Sequence, residues 1–218
     1  MSAINDYAAR SWERPELRSS EDYFRRLARI IPQLPYRSVD AIAGVLMQAF
    51  DEGRTIFVFG NGGSAASASH MMCDMNKGAA ALAGHARRLK VMALTDNVPL
   101  ITAWANDSSY EQIFAEQLRN YLQPGDVAFA VSCSGDSPNI LLGLKTAQAM
   151  GGITVGITGR KGGKMKSLCD VCAVVPSDDM RLIEDMHHAI LHSLSVAVAA
   201  YVQARAPKVM AAAGSNGK

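Results

Sequence analysis

Three groups of residues in this chain have the types and spacing to do chemistry. His70 and Asp74 stand four apart, shortly after the turn Gly60-Asn61-Gly62-Gly63-Ser64. On a helix, positions i and i+4 share a face. An imidazole and a carboxylate there would serve as a proton-transfer pair or as two ligands of a metal. The glycines let the backbone turn tightly and approach a ligand, and Ser64 is placed to cap the following helix and offer a hydroxyl. The second group is Ser132-Cys133-Ser134-Gly135-Asp136-Ser137. Its hydroxyls can donate to phosphate oxygens, and a helix beginning there adds free N–H groups. Asp136 suits the helix dipole but would repel a phosphate if it pointed inward. The third group is Glu184, His188 and His192, spaced i, i+4 and i+8 on one face of a C-terminal helix, with His187 off to one side.

The elements that must position these groups follow from the hydrophobic pattern. Apolar runs at 55–59, 89–94, 127–132, 153–157 and 171–175 read as strands. Their continuous apolar character suits a parallel sheet buried on both faces. Helices are expected from Ser64, Pro99, Tyr110, Ser137, Lys164 and Met180, the last reaching Ala204. Each of the first four strands runs into a polar loop: 60–64, Thr95-Asp96-Asn97, 132–137 and Thr158 to Gly163. In an open parallel sheet these loops share the carboxyl edge, where ligands bind. No GKS or GKT follows the glycines, and GNGGSA lacks the GxGxxG spacing. That argues against an NTPase loop or a dinucleotide cofactor and suits a small sugar phosphate.

Ahead of the first strand, Ser20 to Ile31 and Ser38 to Glu52 show helical periodicity, the second ended by Gly53. Because an α/β sheet does not need them, these helices are expected to pack against another subunit. The division expected is 1–37, an N-terminal segment and helix used in oligomer packing, then a domain over 38–205, then a disordered tail over 206–218. Met1 to Ser20 reads as irregular, and His85 as a solvated residue of a basic loop.

Composition narrows the class. Among 218 residues, 49% hydrophobic and 19% charged give enough apolar material for one full core. A net charge of +2 is too small to argue for nucleic acid or an anionic membrane. No apolar run reaches the roughly 18–20 residues of a membrane span, and the first 18 residues lack the pattern of a leader. The expectation is a cytoplasmic protein. Cys169 and Cys172 form a lone CxxC without a second pair for zinc; with Cys73 and Cys133 they read as small residues rather than disulfides.

The motifs GNGGSAASASH, ALTDNVPLITAWANDSSYEQIFAEQL, SCSGDSPN, TGRKGGK and IEDMHHAILH stand in the order found in sugar isomerase (SIS) domain proteins. The chain resembles that family over roughly Ser38 to Ala200. It is most similar to phosphoheptose isomerases, which interconvert sedoheptulose 7-phosphate and D-glycero-D-manno-heptose 7-phosphate. The resemblance implies a three-layer αβα domain with a five-stranded parallel sheet, and a homotetramer with active sites at subunit contacts. It implies an aldose–ketose isomerase working through an enediol. Asn61, Gly62, Gly63 and Ser64, Asp96 and Asn97, Ser132, Cys133, Ser134 and Ser137, and Glu184 would contact the substrate. Asp74 and His192 would be catalytic. Some members bind zinc through the set that here is His70, Asp74, Glu184 and His192.

This chain departs from the family at several of these positions. Asp74 stands where the family carries glutamate, Glu184 where it carries glutamine, and Cys133 where threonine is usual. Asn76-Lys77-Gly78 lies where an arginine is expected. Aspartate retreats about 1.5 Å relative to glutamate. Two neighbouring carboxylates repel unless a cation intervenes, which speaks for metal; direct proton handling by the same groups is the other reading. A related group shares the fold without the chemistry, so a non-catalytic protein binding a partner such as the bacterial replication initiator, or sensing a sugar phosphate, is the alternative.

Overall fold

A computed structural model describes residues 19–78 and 88–205. The expectations for the first 18 residues, for His85 and for the tail after Arg205 fall outside them. Five parallel strands form one sheet in the order β2-β1-β3-β4-β5. They are β1 (Thr55–Gly60), β2 (Lys90–Ala93), β3 (Val127–Ser132), β4 (Ile153–Thr158) and β5 (Val171–Val174). All five coincide with the apolar runs to within a residue or two at each end.

Side chains alternate across the sheet, as a period of two requires. Ile56 and Val58 of β1 face one layer, and Phe57 and Phe59 the other. The first layer holds α2 (Tyr36–Glu52), α3 (Gly63–Cys73) and α8 (Met180–Ala204). The opposite layer holds α4 (Val98–Asp107), α5 (Ala115–Tyr121), α6 (Pro138–Ala149) and the single turn α7 (Met165–Leu168). The helix expected from Tyr110 is instead a 3-10 turn, Tyr110–Gln112, followed by α5. Ile113 and Phe114 between them are each 1% exposed; burying them turns the chain inward there.

The second N-terminal helix corrects an expectation. α2 is spent on its own chain: Val39, Ile42, Leu46, Ala49 and Phe50 are buried against the sheet and α8. A sheet buried on both faces needs this cover, since neither α3 nor α8 alone spans it. Gly53 stops α2 as expected, at φ +69° with its N–H on Phe50 O at 3.1 Å. The first helix, α1 (Ser20–Ile30), buries only Ile30. It is fastened to α8 by Tyr23 Oη donating to Asp185 and by Arg26 pairing with Asp179 at 3.1 Å.

The outer edge of β2 is closed by side chains. The Asn76 amide donates to Val91 O at 2.8 Å and accepts from Val91 N at 3.1 Å, and Ala93 N donates to Met72 Sδ at 3.2 Å. The outward N–H groups of Val91 and Ala93 and the Val91 carbonyl are thereby satisfied within the described residues. At the other edge, Cys169 and Cys172 flank Gly156, where a Cβ would come 2.9 Å from Cys169 Sγ. Both are free thiols. The Cys169 thiol is pushed up by its hydrogen bond to Cys172 and by burial.

β1 feeds α3 on one face, while its neighbour β3 feeds α6 on the other. Their loops therefore diverge and leave a crevice at the carboxyl edge, the switch point of the topology.

Candidate active site

That crevice holds a cavity of about 270 Å³ lined by Asn61, Ser64, Ser132, Cys133, Ser134, Ser137, Arg160 and Glu184. Gly62, at φ +55°, is the residue that turns β1 into α3. Gly60 has no room for a side chain, because a Cβ would come 2.7 Å from the Ser64 backbone. Ser64 is not the cap expected of it: Gly62 holds that position without a side-chain bond, and Ser64 lies in the first turn, 6% exposed.

The serines of the β3–α6 loop are arranged as donors. Ser132 Oγ accepts from Gly135 N and Ser134 Oγ from Asp136 N, each at 3.2 Å. Both hydroxyl protons are left to give to an anion. Ser137 is the N-cap of α6 and makes no side-chain bond to it, so its hydroxyl and the helix N–H groups open toward the cavity. Asp136 does not oppose them: its carboxylate accepts from Lys164 N at 2.9 Å, on the neighbouring loop. Cys133 stands among the serines with its thiol pushed up by burial and by the Glu184 carboxylate.

Asn61 is held by its neighbours. It exchanges reciprocal amide hydrogen bonds with Asn139, at 2.9 and 2.8 Å, and accepts from Tyr110 Oη at 3.1 Å. Asn139 is 2% exposed. It ties the β1 and β3 loops together across the switch point. Asp96 and Asn97 stand apart from the serines, lining a cleft with Met92, Pro99 and Tyr121. Asn97 caps α4 through Leu100 N at 3.1 Å, and Asp96 accepts from the Ser69 hydroxyl.

The second half of the site lies where α3 meets α8. His70 Nε2 and His192 Nε2 are 2.9 Å apart; Asp74 Oδ2 is 3.3 Å from the first and 3.7 Å from the second. Aspartate is therefore long enough to reach both rings. Asp74 opens a five-residue π turn, Asp74–Gly78, a feature that recurs at functional sites. Donor atoms about 2.1 Å from a tetrahedral ion stand about 3.4 Å from one another. The three observed edges bracket that value, and two imidazoles with one carboxylate are a donor set that suits a divalent metal.

His188 joins this group from the side. Its ring stacks on His70 with centroids 5.6 Å apart. Ser67 Oγ donates to Gly63 O at 3.1 Å and lies 2.9 Å from His188 Nδ1. A hydroxyl has one proton, so when Ser67 gives it to Gly63 O it accepts from His188 Nδ1–H, and when it gives it to Nδ1 the other ring nitrogen carries the proton. Glu184, expected as a fourth ligand, is placed elsewhere. Its Oε1 lies 3.9 Å from Cys133 Sγ, over Gly63, where a Cβ would come 2.9 Å away. It thus faces the serine cavity beside the N-terminus of α3. His187 is 1% exposed and only loosely approached by the Thr158 backbone, short of good hydrogen-bond geometry, and burial pushes its imidazole down to about 4.

Asn139, Tyr110 and Arg160 are the residues that motif reading passed over, while the spacing places His188 on the shared helix face without giving it a role. The only sequence signal for Asn139 and Arg160 was their place in polar strand-end motifs. Of the stretch where an arginine was expected, Asn76 closes the β2 edge and Lys77 lines a separate cleft of about 510 Å³ beside Asp74 and His192.

Residues 22–159 match the family model described as "SIS domain". The chain is 36% identical over 179 residues to the probable phosphoheptose isomerase of Thermoplasma acidophilum, covering 80% of this chain and 94% of that one. It is also 36% identical over 177 residues to the phosphoheptose isomerase of Pelobacter propionicus, covering 81% and 90%. The solved phosphoheptose isomerase of Francisella tularensis superposes with a TM-score of 0.73 at 25% identity, over 91% of this chain and 98% of that one. A donor-lined cavity at the switch point, a His–Asp–His group beside it and these likenesses lead to one assignment: the chain belongs to the SIS domain family.

Proposed function

We propose that this protein is an aldose–ketose isomerase acting on a phosphorylated sugar, sedoheptulose 7-phosphate to D-glycero-D-manno-heptose 7-phosphate. The observation that carries the reading is an anion cradle faced by Glu184 and a proton-handling group that includes His192, two turns further along the same helix face. The relatives named phosphoheptose isomerase support it. Ser132, Ser134 and Ser137 with the α6 N-terminus take the phosphate, and the Asn61 amide, locked by Asn139, orients the sugar. Asp74 and His192 are the groups that exchange protons with the substrate, one serving the carbon beside the carbonyl and the other the opposite side of the enediol. The 2.9 Å contact between His70 and His192 lets a proton taken at one ring pass to the other.

Spacing along α8 agrees with a long substrate. Glu184 faces the phosphate cradle and His192 the proton-handling group; eight residues of helix rise about 12 Å. A seven-carbon chain with C–C bonds of about 1.5 Å zigzags, with its phosphate ester, to roughly 10 Å. The other use of the same group is a divalent metal, zinc in our reading, held by His70, Asp74 and His192 in place of the proton traffic between those atoms. When bound it would polarise the substrate oxygens as a Lewis acid.

We further propose that the protein works as a homotetramer in the cytoplasm. None of the residues of α4 is buried, although it carries Val98, Leu100, Ile101 and Trp104. Ile101 and Trp104 pack partly on the core, and the exposed Val98 end of the helix is suited to cover by a second copy. No helix among the described residues is long and apolar enough to cross a membrane.

The test is turnover. Purified protein given sedoheptulose 7-phosphate in deuterated water should form the aldose and place deuterium on the carbon beside the carbonyl. Absence of both product and exchange, with and without added zinc, would reject the isomerase reading.

A further inference from the structure

We infer that Arg160 is the cation that receives the charge of the phosphoryl group in the serine cavity, and so sets the preference for phosphorylated over neutral sugar. The inference deepens the sugar-phosphate reading above and rests on it for the ligand class.

Three observations converge on this residue. Arg160 is the one non-glycine residue at positive φ among those described, at +55°. A side chain in the left-handed region is strained, and such strain persists where the surroundings dictate it. Those surroundings are rigid. Arg160 N donates to Ser177 O at 2.9 Å, and Gly159 N to Cys133 O at 3.1 Å. On the same loop, a Cβ at Gly163 would come 2.5 Å from Ser134 O, and one at Gly135 would come 2.3 Å from Gly162 O. The β3 and β4 loops therefore touch backbone to backbone. The position would be unstrained as glycine, yet the chain keeps an arginine there.

The second observation is placement. Arg160 lines the same cavity as Ser132, Ser134 and Ser137. It lies close enough to Cys133 to act on it electrostatically. The third is that its guanidinium makes no hydrogen bond or ion pair with any other described residue, so it holds no part of the fold together. The hydroxyls in the cavity are neutral donors, and the one carboxylate lining it, Glu184, would repel a phosphate. Arg160 is the only cationic side chain lining it among the described residues. A planar guanidinium matches phosphate oxygens in a bidentate fork.

The strain supplies a test that separates a ligand-binding role from a structural one. Arg160→Gly should hold or raise the thermal midpoint, because it removes the strained side chain. The same variant should bind inorganic phosphate about tenfold more weakly in calorimetry at fixed ionic strength, the lower end expected for a charge-assisted hydrogen bond. Its KM for sedoheptulose 7-phosphate should rise by a similar factor, with kcat changed much less. Arg160→Lys should fall between, keeping the charge and losing the fork. If Arg160→Gly fails to fold, Arg160→Gln gives the same affinity reading with a polar side chain kept. Phosphate affinity unchanged in the folded variant, or no phosphate binding by the unmodified protein, would overturn the inference. Arg160-dependent phosphate binding without any sugar isomerisation would uphold it and reject the isomerase reading alone.

Discussion

His187 should make this protein lose stability as the pH falls below neutrality, by an amount that can be worked out. The side chain is 1% exposed beside His188 and Thr158 at the end of β4. Burial pushes its imidazole down from an ordinary value of 6.5 to about 4. The unfolded chain then takes up a proton that the folded chain refuses, so stability present above about pH 6.5 is lost as the pH falls toward 4. The whole gap corresponds to about 3 kcal/mol. Between pH 7 and pH 5 the loss from this one group is about 2 kcal/mol, a large fraction of a typical folding free energy. His187→Leu is the matched control. The one group the ring approaches among the described residues, the Thr158 carbonyl, already accepts from Val175 N at 2.8 Å, so an apolar replacement strands no buried polar group. Urea unfolding of both proteins at pH 7 and pH 5, at one fixed protein concentration, gives the comparison. Cavity and packing changes in the variant are independent of pH and cancel. The unmodified protein should lose about 2 kcal/mol more than the variant over this interval. Parallel pH profiles would refute the reasoning, because they would mean that His187 titrates alike in both states.

Three further outcomes are expected. Replacing Ser134 and Ser137 together by Ala should weaken sugar phosphate binding by about 1.5–3 kcal/mol for each lost bond to a charged group, with the thermal midpoint little changed; equal affinity by calorimetry would reduce these serines to turn residues. Asp74→Asn should drop the metal content of protein purified without chelator to below about a tenth of an equivalent per chain, from near one in the unmodified protein, since removing a ligand commonly empties such a site. Metal content below that level in the unmodified protein, with activity indifferent to zinc and to chelation, would end the metal reading. Light scattering at micromolar concentration should give four chains per particle, and a charged residue at the exposed Val98 position of α4 should shift it to smaller species; a stable monomer in the unmodified protein would refute the assembly.

How far the sequence reached can be seen element by element. The three central strands were visible because a parallel strand buried on both faces needs an unbroken apolar run, which little else in a polar chain resembles. The loops 60–64 and 132–137 were visible because glycine and serine at strand ends have few other uses. The His70–Asp74 pair was fixed by local geometry: four residues on a helix make one face whatever lies opposite. The same rule placed Glu184, His188 and His192 on one side of α8 but could not choose among them. They spread over about 12 Å of helix axis, whereas a metal or proton site spans a few ångströms. Where α3 crosses α8 decides the choice, and that crossing is set by packing in the core beneath, through Met71, Met75, Ile190 and Leu191. So His192 meets His70 and Asp74, and Glu184 turns to the serine cavity. The use of α2 as sheet cover, the amide lock between Asn61 and Asn139, and the left-handed turn that presents Arg160 are of the same kind. Each depends on which elements become neighbours across the sheet, and contacts between residues far apart in the chain leave no period or spacing in the sequence to read.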